Sequence, residues 1–212
     1  MKNIIDNIEA SKNAYNSFAE KYFEEFFDDW EGKEFIDEFL QKLSGKKILD
    51  LGCGNGNFCY YATQKGFEVK GYDISEKMIQ VGKSICPKLD LSIQDISSLP
   101  IEPELFDGAI YSYSFMHLTK EQGKNSLQSL HKNLKDHALI SIMTCKGTGE
   151  VFIACDEFNK DKKMLFTFYE EDEIKKLLHE CNYKIISMKI KHEENANISP
   201  DDWIILAEKI NH

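Results

Sequence analysis

The stretch KILDLGCGNGN, Lys47 to Asn57, is an apolar strand that stops at an aspartate and then places glycine at three of the next six positions (Gly52, Gly54, Gly56). A short continuous apolar run bounded by glycine is the mark of a strand buried on both faces. Glycine lacks Cβ, so backbone there can come close to a ligand.

The elements that follow keep a strict rhythm. The patterning predicts a helix over Asn57 to Lys65, a strand over Phe67 to Tyr72, a helix over Ser75 to Ile85, and strands over Leu89 to Gln94 and Phe106 to Ser112. A helix over Glu121 to Leu134 and a strand over Ala138 to Cys145 complete it. Alternating strand and helix implies a parallel sheet covered on both faces, with ligands at the carboxyl ends of the strands. After Cys145 the rhythm changes. Glu150 to Phe168 reads as irregular or weakly extended and Glu170 to Glu180 as a helix. Strands over Lys184 to Ile190 and Trp203 to Glu208, with no helix between them, form a final hairpin. Before the sheet, Asn3 to Leu43 is helical, and Gly32 breaks it in two.

Three acids stand at three successive strand ends: Asp50, then Asp73 in VKGYDIS, then Asp95 in LSIQDISSLP. Asp73 follows Asp50 by 73 − 50 = 23 residues, where a carboxylate can accept from both hydroxyls of a ribose. Asp95 can accept from an exocyclic amine. Two cofactor classes use such a turn. A dinucleotide favours GxGxxG with its pyrophosphate on the helix N-terminus, but position 57 is Asn and Asp50 would repel a phosphate; a ligand bearing an ammonium would suit Asp50.

Strand-DLGCGNG, GYDIS, QDISSLP and FDGAIYSYSFMHL, in that order, resemble the class I S-adenosylmethionine-dependent methyltransferases, and the resemblance runs from about Ala14 to the C-terminus. It implies a Rossmann-like, doubly wound α/β fold with a seven-stranded sheet, mostly parallel, one strand antiparallel near the C-terminus. Residues 1–44 would be a helical N-terminal lid in the same domain as the cofactor-binding residues 45–212. It further implies S-adenosylmethionine bound by Gly52, Cys53 and Gly54 at its methionine portion, with Asp50 near the ammonium. Asp73 would hold the ribose, Ile74 and Met78 would lie beside the adenine, and Asp95 and Ile96 would meet its edge. Tyr111 and Ser112 would border the methyl group. The segment YNSFAEKY resembles the lid helix of small-molecule members, placing Tyr15 and Tyr22 over the cofactor.

Methyl transfer from a sulfonium needs alignment and exclusion of water above all, and a base only where the acceptor must lose a proton. His117, after the fourth strand, is the candidate base, with an ordinary pKa near 6.5 suited to that work; a histidine packed at the start of the next helix is the alternative. His131, His137, His179 and His192 fall on expected surfaces. Tyr113, Phe115, Phe166, Phe168 and Tyr169 either line an apolar acceptor pocket or belong to the core. The run EEFFDDWE reads as a solvated helix face or an attraction for a cationic substrate.

Composition narrows the partners. In 212 residues the net charge is −10, and all 26 basic residues are lysine. A chain without arginine lacks the planar fork that clamps phosphate, and an acidic one lacks the surface nucleic acid needs. No Asn/Asp-Pro-Pro-aromatic motif follows the fourth strand, where Ser112-Tyr113-Ser114-Phe115 stands, which argues against methylation of DNA bases. No apolar run reaches the roughly 18 residues of a membrane helix, the Met1 start has no signal-peptide core, and the six cysteines show no zinc-ligand spacing. The expectation is a cytoplasmic, metal-free enzyme of one domain that methylates a small molecule. A non-catalytic cofactor-binding module and an NAD-dependent oxidoreductase are the alternatives.

Overall fold

A computed structural model describes residues 6–27, 32–155, 159–192 and 198–211. Two helices, α1 (Asn7–Phe26) and α2 (Lys33–Lys42), precede an alternating run of β1 (Lys47–Leu51), α3 (Asn57–Gln64), β2 (Glu68–Asp73), α4 (Glu76–Ile85), β3 (Asp90–Ile93) and β4 (Phe106–Ser112). A 3₁₀ turn (Phe115–His117) leads to α5 (Lys120–Asn133) and β5 (Leu134–Cys145). Then come β6 (Gly149–Cys155), β7 (Asn159–Phe168), α6 (Glu171–Glu180), β8 (Tyr183–His192) and β9 (Asp201–Lys209).

Seven strands form one sheet in the order β3-β2-β1-β4-β5-β9-β8. All pairings are parallel except those of β9, which runs antiparallel to both β5 and β8. The expected seven-stranded Rossmann-like sheet, with its final hairpin, is therefore present. Strand order reverses between β1 and β4, and the crevice at their carboxyl ends is where such sheets bind ligands.

Strand alternation divides the core. Leu49, Leu51, Tyr111, Ile140, Ile142, Trp203 and Ile205 face one side, where Leu127 and Leu130 of α5 and Ile174 and Leu178 of α6 cover them. Ile48, Ile110, Met143, Ile204 and Leu206 face the other, against Phe39 of α2, Phe58 and Cys59 of α3 and Ile79 of α4. Adjacent residues of a strand point to opposite faces, so Asp50 shares the α3 side with Ile48.

Glu150 to Phe168 is more ordered than its sequence suggests: β6 and β7 form a separate antiparallel ribbon, with Gly149 opposite Phe168 and Ile153 opposite Met164. The ribbon packs on α1 and on the 3₁₀ turn, burying Met164 and Phe166 against Ala14, Phe18 and Met78. Helix α1 is kinked at Phe18, whose backbone leaves the helical region (φ −133°, ψ 17°). Asp28 to Glu31 of the acidic run and residues 193–197 of the final connection lie outside the described residues.

Candidate functional site

The loop after β1 is built by left-handed backbone at Gly52 (φ +79°), Gly54 (φ +55°) and Gly56 (φ +81°). At Gly52 the conformation is enforced by packing as well, since a Cβ there would lie 2.3 Å from Ser114 Cβ. At Gly54 a Cβ would meet nothing within 4 Å, so that backbone faces open space. Two amides, Gly52 N and Cys53 N, donate to the Tyr72 carbonyl at 2.7 and 2.9 Å and tie the loop to the end of β2.

Asp73 closes the loop from the other side. Its Oδ2 accepts from Gly54 N at 2.9 Å and its Oδ1 from Ser75 N at 2.8 Å. Burial raises its pKa, while those backbone N–H groups oppose the rise. A carboxylate has about four acceptor positions, and Ile74 N–H also bonds this one, so about one remains for a ligand. Next door, Asp95 accepts from Ser97 N at 2.8 Å at the end of β3.

These residues line one cavity of about 80 Å³ that opens to solvent. Gly52, Gly54, Asp73, Ile74, Asp95, Ile96 and Ser112 form its sheet side, and Tyr15 and Tyr22 of α1 lie across it. His117 stands at the junction of the two. Among the described residues the cavity wall carries two carboxylates and no lysine. That charge pattern fits a cationic ligand with a diol and disfavours a pyrophosphate.

Four of the expected cofactor residues lie elsewhere. Asp50 is 2% exposed behind the loop, where Cys59 Sγ donates to its Oδ2 at 3.2 Å and burial pushes its pKa up to about 7. Cys53 packs in the core beside Cys59 and Gly71, its thiol pushed up to about 11 by burial. Met78 is buried under α1 in contact distance of the ribbon cluster. Tyr111 points into the opposite core face and shares a 2.7 Å hydrogen bond with Ser126.

Five further residues line the cavity: Ile8, Ser11, Tyr113, Ser114 and Leu118. Tyr113 was an acceptor-pocket candidate; its left-handed backbone (φ +56°) is the kind of strain that collects at binding sites. Ser11 carried a signal only through its spacing, four residues before Tyr15 and so on the same helix face. Phe115, Phe166 and Tyr169 are core residues, while Phe168 is half-buried. Of the remaining histidines, His131 is half-buried on the Ile210 carbonyl, and His137, His179 and His192 are exposed.

His117 is 9% exposed and held at both ring nitrogens. Nδ1 lies 2.9 Å from the Leu165 carbonyl on β7 and Nε2 lies 3.0 Å from Tyr15 Oη. A carbonyl only accepts, so Nδ1 carries the proton and Tyr15 donates to Nε2. Burial holds the imidazole below its ordinary pKa and the Tyr15 phenol well above its own; Tyr22 is pushed up to about 12 for the same reason.

Residues 48–137, which contain the glycine loop, all three acids and His117, match the family model of the methyltransferase domain. This segment is a methyltransferase domain of the S-adenosylmethionine-dependent kind. The match favours methyl transfer over the oxidoreductase alternative. An uncharacterised methyltransferase of Alkaliphilus oremlandii is 26% identical to this methyltransferase over 181 residues, 84% of this chain and 75% of the relative. One of Bacillus licheniformis is 29% identical over 119 residues, 56% of this chain and 54% of the relative, so there the match spans about half of the relative's length. The magnesium protoporphyrin IX methyltransferase of Synechocystis PCC 6803, solved with bound S-adenosylmethionine, shares the fold at a TM-score of 0.73 and 16% identity, covering 99% of this chain and 100% of that one. Among the described residues there is no cluster of potential metal ligands and no helix long and apolar enough to cross a membrane.

Proposed function

We propose that this methyltransferase acts on a small molecule inside the cavity between α1 and the carboxyl edge of the sheet. The observation that carries the reading is the cavity wall itself: a glycine loop with open space at Gly54, two carboxylates and, among the described residues, no lysine. Those residues fit S-adenosylmethionine, which supplies an electrophilic methyl group on a sulfonium. In this assignment Asp73 accepts from the ribose hydroxyls with its remaining acceptor capacity. Asp95 and Ile96 meet the adenine edge, Ile74 packs on the ring, and the Gly52–Gly54 backbone with Ser112 takes the methionine portion. Asp50 stays behind the loop, supporting it through the Cys59 thiol rather than touching the ligand.

Helix α1 is the lid. Asn16 Oδ1 accepts from Ser75 Oγ at 2.7 Å and from Lys77 N at 3.0 Å, joining the lid to the N-terminus of α4. At its other end Asn7 Nδ2 donates to the His117 carbonyl at 3.0 Å and to Gln122 at 2.7 Å. The lid thus bridges the ends of β2 and β4 and excludes water, which strengthens every electrostatic contact beneath it. The β6–β7 ribbon buttresses the far wall, where Thr167 Oγ1 donates to the Leu118 carbonyl at 2.7 Å. His117 is the base for an acceptor that must lose a proton.

Titration calorimetry with S-adenosylmethionine and S-adenosylhomocysteine tests the assignment. Both should bind the wild type, and Asp73→Ala should abolish binding while the variant stays folded by circular dichroism. Undiminished binding by Asp73→Ala would refute the proposed geometry. Binding without methyl transfer to any acceptor would favour a cofactor-binding module.

A further inference from the structure

Ser11 is the unexplained polar group of the cavity. It is 6% exposed, lines the wall, and its Oγ has no hydrogen-bond partner among the described residues. Buried hydroxyls are nearly always bonded, so an orphan on a residue that lines a cavity marks where a ligand's polar group belongs once side-chain rotation turns it inward. One helical turn further on, Tyr15 spends its proton on His117 Nε2 and keeps its oxygen lone pairs free to accept. Resting on the methyl-transfer reading above, we propose that Ser11, Tyr15 and His117 form the acceptor subsite, and that it takes an uncharged or cationic molecule whose nucleophile is an O–H or N–H group.

The charge follows from the wall. With Asp73 and Asp95 taken by the cofactor, the described wall offers an anionic acceptor no lysine to pair with and two carboxylates nearby. The proton follows from the hydrogen-bond directions. As the bond from the acceptor heteroatom to the methyl carbon forms, the sulfur–methyl bond breaks and leaves its electron pair on sulfur. The heteroatom's proton passes to Tyr15 Oη while Tyr15's own proton passes to His117 Nε2. His117 ends as an imidazolium with Nδ1–H still on the Leu165 carbonyl, and loses the proton to solvent when the lid opens. Ser11 Oγ, on the same helix face as Tyr15, orients the acceptor by a second hydrogen bond. Neither Tyr15 nor His117 is ionised at rest, because burial disfavours both charged forms, so the pair brings no charge to the site before reaction.

The test combines binding, spectroscopy and turnover. Calorimetry should show Ser11→Ala and Tyr15→Phe binding S-adenosylhomocysteine within about threefold of wild type. Nitrogen-15 spectra of the imidazole should show His117 protonated at Nδ1 and bare at Nε2. Release of S-adenosylhomocysteine is then followed against simple phenols and primary amines, each paired with a fully methylated counterpart and a carboxylate-bearing one. Turnover should be confined to the protic compounds without a carboxylate. It should fall about 100-fold in Tyr15→Phe and His117→Asn, and Ser11→Ala should raise KM more than it lowers kcat. Loss of S-adenosylhomocysteine binding in Ser11→Ala or Tyr15→Phe would overturn the subsite, because these residues would then hold the cofactor. Turnover of aprotic or carboxylate-bearing acceptors, a protonated Nε2, or no turnover of any protic compound by protein that binds the cofactor would overturn it too. Failure of the wild type to bind either cofactor form would instead refute the underlying methyl-transfer reading.

Discussion

Gly54→Ala separates the fold from the site. Position 54 has φ +55°, a conformation that costs an L-residue roughly 1–2 kcal/mol, and an added Cβ meets no heavy atom within 4 Å. The substitution therefore carries a backbone cost and no packing cost. For a protein of this size that is a fall in Tm of roughly 2–8 °C. The new methyl group, however, would occupy space beside backbone that lines the cavity. If that backbone cradles the cofactor, affinity for S-adenosylhomocysteine should fall at least tenfold, which is about 1.4 kcal/mol or more. Gly52→Ala is the contrast: its Cβ would lie 2.3 Å from Ser114 Cβ, so it should damage stability by several kcal/mol through overpacking as well as strain. The assay is urea unfolding and calorimetry on both variants. A Gly54→Ala protein that loses 1–2 kcal/mol yet binds S-adenosylhomocysteine within twofold of wild type would show that the loop is not the cradle.

Asp50→Asn should change the pH dependence of stability. The folded protein holds the Asp50 proton up to about pH 7, whereas the unfolded chain releases it near 3.8. The folded form thus binds more protons across that window, and its stability falls as pH rises from about 4 to 7. The ceiling on that fall is roughly 4 kcal/mol, from three pKa units. The unfolding free energy of Asp50→Asn minus that of wild type should therefore grow between pH 4.5 and 7.5, and a constant difference would refute it. Asp73→Asn should lose roughly 1–3 kcal/mol, since one amide oxygen cannot accept from both Gly54 N and Ser75 N; denaturant melts check this. Asn16→Ala should speed amide exchange over residues 7–17 and cofactor dissociation, with little change at α5. In Gly82→Ala, a Cβ 2.2 Å from the Asn55 carbonyl should displace the glycine loop from beneath, weakening cofactor binding without touching the cavity wall.

The parallel half of the sheet is legible because strands buried on both faces are continuous apolar runs, and the ends of β1, β2 and β3 are punctuated by Asp50, Asp73 and Asp95. The ribbon is less so: Asn159 to Lys163 is polar and lysine-rich, and no Asn-Gly or Asp-Gly turn announces it. Strand periodicity also limits a site reading. Tyr111 and Ser112 are neighbours at the end of β4, but only Ser112 reaches the cavity while Tyr111 fills the core, and which faces which depends on α5. Asp50 was read from its position before the glycines, yet the same alternation turns it toward Cys59. Ser11 gives no sequence signal of its own, because a serine on a helix carries no chemistry until the fold leaves its hydroxyl unpaired.

The position of β9 bears on how the chain is made. Residues 201–209 sit between β5 and β8, pairing with Leu139 to Cys145 on one side and Tyr183 to His192 on the other. A chain emerging from the ribosome can assemble the glycine loop and β1 to β5 early. Until β9 arrives, β5 keeps an open, apolar edge, the surface on which strands of separate molecules pair. The nascent protein thus has its cofactor cradle in place before its sheet is sealed. Ligand present during synthesis would stabilise that incomplete sheet and shorten the interval in which its open edge can seed aggregation.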